Sequence, residues 1–95
     1  MENLDLVRRL RRLRRAVDML QADLRREQLN VELVADIEKH MDHGIATDSR
    51  CASLATRVDV LRESTLTPRR ELYVDTARAC EQLKNAIDGV LNTIA

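Results

Sequence analysis

Leu6, Leu10, Leu13, Val17, Leu20 and Leu24 follow one another at alternating intervals of four and three. That spacing keeps one apolar seam along an α-helix and turns it toward a neighbouring helix. Arginines fill the gaps, at Arg8, Arg9, Arg11, Arg12, Arg14 and Arg15. The whole chain has only two glycines and one proline, so a strand-and-turn architecture has almost nothing to turn with. About half of the residues are Ala, Glu, Lys, Leu or Arg, the composition of long helices. The fold class is all-α, and 95 residues make a single helical domain over 1–95, too short for a two-domain enzyme.

The first helix opens at Asn3, a favoured N-cap, with Asp5 in its first turn where a negative charge suits the helix dipole. Glu27 or Gln28 interrupts the seam, and Val31, Val34, Ile37, Met41 and Ile45 resume it on a drifted face. The spacing predicts one helix over about 4–43, a rod of about 60 Å. Lys39, His40 and His43 suit its C-terminus, and Gly44 suits the left-handed position beyond. Thr47 or Asp48 caps a second helix, about 48–63, with the stripe Cys51, Leu54, Val58 and Leu61. Pro68 breaks the chain and opens a third helix, about 68–93, with the seam Tyr73, Thr76, Cys80, Leu83, Ile87, Val90 and Ile94. The two later helices together match the first in length. The expected fold is therefore a long antiparallel helical hairpin with its second arm broken near Pro68, assembling into a dimeric coiled coil or helical bundle. A compact three-helix bundle is the alternative.

Tyr73 is the only aromatic residue, so the core is aliphatic and thin, which favours sharing an apolar seam with another molecule. The 16 basic and 16 acidic side chains cancel, but not locally. Residues 1–26 are net basic, residues 27–49 net acidic, and Arg outnumbers Lys fourteen to two. Arg8 with Arg12, and Arg11 with Arg15, are like charges one turn apart, each disfavouring an isolated helix by about 0.2–0.5 kcal/mol. A second copy of the first helix, laid antiparallel, would bring Glu27, Glu32, Asp36, Glu38 and Asp42 alongside them, which is an isologous arrangement.

The interface expected on this basis comprises Leu6, Leu10, Leu13, Val17, Leu20, Leu24 and Val31, with Arg8, Arg9, Arg11, Arg12, Arg14 and Arg15. Its partner is a second copy or another helical protein, and the chain is expected to be a non-enzymatic adaptor, small chaperone or assembly subunit. The alternative is nucleic-acid binding through the Arg8–Arg15 segment, and a lesser one is a His/Cys metal-responsive protein. The nucleic-acid reading lacks aromatics for stacking and a recognisable module, and the net charge is zero.

Candidate chemistry is sparse. His40 and His43, with Asp36 and Cys51, resemble a divalent-metal cluster, but no HExxH or paired CxxC accompanies them and the helix dipole already explains the histidines. Cys51 and Cys80 read as free thiols. Ser49, Ser53 and Ser64 lack a nucleophile elbow, and no glycine-rich loop is available for phosphate. Tyr73 reads as a packing residue at the start of the third helix, or as an interface anchor. No catalytic residue, cofactor or metal is assigned. No apolar run approaches a membrane span or a signal-peptide core, so a soluble cytoplasmic protein is expected.

Overall fold

The expected rod stops early. In the computed structural model, which describes residues 3–66 and 71–94, helix α1 runs from Asn3 to Leu24 and α2 from Val31 to His40. Between them Glu27 takes a left-handed φ of 57°. The Gln28 amide donates to the Asp23 carbonyl at 3.0 Å, and the Glu27 amide donates to the Leu24 carbonyl at 3.0 Å. This pair of bonds is the Schellman closure of a helix C-terminus. Asn30 then opens α2 as its N-cap, accepting through its side chain from the amides of Glu32 at 3.1 Å and Leu33 at 3.3 Å. Leu29 and Val34, the positions that staple a capped helix start, both pack against the core.

Gly44 takes the left-handed conformation that the sequence suggests, at φ 97°, within the turn Met41–Ile45 that follows α2. Asp48 caps the next element, accepting from the Arg50 amide at 2.9 Å. A short 3-10 turn at Ser49–Cys51 leads into α3, Ala52–Leu66, and α4 spans Leu72–Ile94. The described residues contain no strand. Thr67 and Pro68, on which the break in the returning arm was placed, lie outside the described residues.

Cross-links between helices fix their directions. As α1 rises from Arg14 to Asp18 to Gln21, its partners on α4 fall from Asp88 to Lys84 to Glu81. Arg57 meets Gln82 and Ser64 meets Thr76, so α3 and α4 are antiparallel as well. Arg9 bonds the His43 carbonyl, while Arg12 and Arg15 share a crevice with His40 and Asp36, so α2 runs back down α1. Glu38 approaches Arg62 at 3.8 Å, while Ala46, beyond the end of α2, and Ala55, near the start of α3, line the same groove, which sets α2 against α3. Each helix is antiparallel to its neighbours, making an up-down-up-down four-helix bundle of 42 × 20 × 19 Å.

The two-armed hairpin is thereby corrected. The connection at 25–30 folds the second half of the supposed rod back onto the first. The seam Leu6, Leu10, Leu13, Val17 and Leu20 is fully buried and Leu24 nearly so, against Leu33, Ile37, Met41, Leu54, Leu61, Leu83 and Ile87 of the same chain. Each such Leu or Ile contributes about 1.5–3 kcal/mol of burial, which a projecting rod would forgo. One buried hydroxyl interrupts the core. Thr76 Oγ1 lies 3.0 Å from Ser64 Oγ, which donates to the Leu61 carbonyl at 2.6 Å, so this polar pair is satisfied.

Candidate functional site

With its leucines inward, α1 points its arginines to the outside, and the structure divides the six into two groups. Arg9 donates to the His43 carbonyl and ties α1 to the turn after α2. Arg14 donates through Nε to Asp88 at 2.8 Å and lies 3.6 Å from Asp18. The Asp88 hydrogen bond raises the Arg14 pKa further. Arg8, Arg11, Arg12 and Arg15 are exposed and form no ion pair or hydrogen bond among the described residues. They follow one another at intervals of three, one and three, and no ion pair among the described residues offsets their repulsion along the helix.

The acidic segment lies beside them, on the same chain rather than on another copy. Arg12, Arg15, Ala16 and Met19 of α1 line one crevice with Leu33, Asp36 and His40 of α2. Asp36 nevertheless makes no ion pair with either arginine, and Glu27, Glu32 and Asp42 are exposed and likewise unpaired among the described residues. Met19 stands at the rim of the crevice, 52% exposed. Thus the basic strip of α1 and the acidic strip of α2 adjoin around this crevice, with no ion pair between them among the described residues.

Several expected interface residues need relocating. The apolar seam from Leu6 to Leu24 is interior, because α2, α3 and α4 supply the apolar surface that a second molecule was expected to supply. Val31 does not extend the seam. It is the first residue of α2 and is 67% exposed, since the break at 25–30 resets the helical phase.

The histidine cluster is not assembled either. His43 Nδ1 lies 2.7 Å from the Lys39 carbonyl, Cys51 is buried, and among the described residues no three His, Cys, Asp or Glu side chains are grouped to hold a metal ion. Burial pushes the Cys51 thiol up and the Cys80 thiol up to about 12. Tyr73 is half-buried against the core, and Ser49 and Ser53 are exposed.

A second surface feature was not foreseen. Between α2 and α3 a crevice of about 210 Å³ has Met41, Ala46, Ala55 and Val58 in its walls and Glu38, Asp42, Asp59 and Arg62 at its rim. It borders on α3, which buries only the narrow line Leu54, Val58 and Leu61, a narrowness visible in its sequence. No helix among the described residues is long and apolar enough to cross a membrane. Comparison of the chain with protein-family profiles, curated sequences and solved structures gives no match.

Proposed function

We infer that the protein is a non-enzymatic helical interaction module, an adaptor, small chaperone or assembly subunit that acts as a dimer or within a hetero-complex. One observation carries this reading: four exposed arginines on α1 make no ion pair among the described residues, a cost that an acid-bearing partner removes. The first helix still supplies the contact, but through its charged outer side instead of its leucine seam. The crevices are open and shallow, unlike the walled pockets that enclose a small substrate.

Nucleic-acid binding is the second reading, favoured by the same arginines, since phosphate contacts require only cations on a track. It is the weaker one, because Glu32 and Asp36 sit beside that track and would repel a phosphate backbone.

The deciding experiment recovers the tagged chain from its native cells, identifies proteins retained in stoichiometric amounts, and rebuilds the complex from purified components. The expected complex is lost on Arg8→Glu with Arg12→Glu. A chain that neither associates with itself nor retains a protein, or that instead binds nucleic acid with steep salt dependence, overturns the reading.

A further inference from the structure

The side of the bundle formed by α1 and α2 carries Arg12, Arg15 and Met19 from one helix and Asp36 from the other around a single crevice. Arg8 lies one turn before Arg12, and Glu32 one turn before Asp36, so helical spacing places both on the same outward side. Because the two helices are antiparallel, with Arg9 beside His43, Arg12 near His40 and Met19 near Leu33, Asp36 lies at the level of Arg15. On the acidic strip, Glu32 and Asp36 outnumber Lys39.

Symmetry then limits how two such faces can meet. With a two-fold axis across the helices, α1 would face α1 and set arginines against arginines, which charge repulsion disfavours. With the axis parallel to the helices, α1 of each molecule faces α2 of the other at the same level, and Arg15, with Arg12 one turn away, meets Asp36 twice over. We propose that this α1/α2 face binds a second copy of the chain about a two-fold axis parallel to the helices. The proposal rests on the interaction reading above and names its partner. A side of 42 × 20 Å offers the roughly 800 Å² per partner that specific interfaces bury. Met19, exposed at the crevice rim, supplies apolar surface on the crevice that Asp36 also lines.

Sedimentation equilibrium of the full chain tests this. At micromolar concentration and low salt the expected mass is twice 10.9 kDa. The association constant should fall about tenfold or more between about 0.05 and 0.5 M salt, as the screening length shortens. The variant Arg12→Glu with Arg15→Glu carries two acidic strips, and the variant Glu32→Arg with Asp36→Arg carries two basic ones. Each is expected to be a folded monomer alone, checked by circular dichroism, and an equimolar mixture of the two is expected to associate. A wild-type monomer at low salt, variants that still dimerise, or folded variants that stay apart on mixing would each overturn the proposal. A wild-type monomer that binds a different protein in the native-cell experiment removes this proposal and leaves the interaction reading standing.

Discussion

Arg14 Nε donates to Asp88 Oδ1 at 2.8 Å, joining the middle of α1 to the C-terminal half of α4 across 74 residues of sequence. Nη2 of the same arginine reaches Asp88 Oδ2 at 3.3 Å, so the contact has the forked geometry that favours Arg over Lys. It is also wet, with the two side chains 37% and 42% exposed. Solvent screening therefore limits its worth. A double-mutant cycle with Arg14→Ala and Asp88→Ala, read by urea unfolding, should give a coupling of about 0.2–1 kcal/mol, and a coupling well above that would show the pair to be far less screened than its exposure implies.

Three carboxylates tie the bundle's stability to acid. Arg50, through its side chain and its amide, holds Asp48 down to about 2. Lys84, donating at 2.8 Å, lowers Asp18, and the Gln21 amide, donating at 2.9 Å, lowers Glu81. Each group binds its proton more weakly folded than unfolded. Their stabilisation is therefore complete above the unfolded values of about 4 and is lost as pH falls through the folded values. The melting temperature is expected to stay level from about pH 7 to 5 and to drop below about pH 4. Asp48→Asn should flatten the lowest part of that limb, near pH 2. An unchanged limb in this variant would contradict the Asp48–Arg50 contact.

The covered seam makes a contrast within one helix. Leu13 is fully buried, so Leu13→Ala should cost about 2–5 kcal/mol by the removal of packed methyl groups. Arg8, five residues earlier, is exposed, and Arg8→Ala should change unfolding stability by less than about 0.5 kcal/mol. Similar losses at the two positions, measured by urea unfolding, would mean that α1 does not bury its leucines.

The apolar stripes were legible in sequence because helical period alone selects which side chains go inward. The stripes from Leu6 to Leu24 on α1, from Cys51 at the entry to α3 as far as Leu61, and from Thr76 to Val90 on α4 are all buried. Gly44 and Asp48 were legible for local reasons, a left-handed turn and a cap. The break at 25–30 was not. Leu24 and Val31 are seven residues apart, two helical turns, so the apolar rhythm resumes in step after the single polar interruption at Glu27 and Gln28. No glycine marks the left-handed position, which Glu27 occupies instead. Asn30 was a local signal, but what decides between a rod and a fold-back is tertiary: Leu33 and Ile37 find cover only against α1's own neighbours. The arginines were equally visible, but which of them are tied down, as Arg9 and Arg14 are, depends on His43 and Asp88 arriving from elsewhere in the fold.

The cysteines report on whether that core is closed. Cys51 and Cys80 are both free and buried, and desolvation pushes the Cys80 thiol up to about 12. Only the thiolate attacks alkylating reagents, so at about pH 8 the folded chain should resist iodoacetamide at both positions, and both should be modified promptly in urea. Labelling in the native state would then proceed only through opening of the bundle, at a rate set by local or global unfolding. Rapid native-state modification of Cys80 would mean that α4 does not face α1 and α3 as described.

Glu27 offers the sharpest test of the folded-back chain, because the rod and the bundle predict opposite signs for one substitution. In a continuous helix through residue 27, Glu27→Gly would destabilise by about 0.8–1 kcal/mol. At a left-handed φ of 57° the side chain's own Cβ is the burden, about 1–2 kcal/mol for an L-residue, and glycine removes it. Offset by the backbone entropy that glycine adds to the unfolded chain, the net expectation is a gain of up to about 1 kcal/mol. Urea unfolding of Glu27→Gly against the parent chain reads the sign directly. A loss of stability would restore the unbroken rod, and with it the leucine seam as a surface in need of a partner.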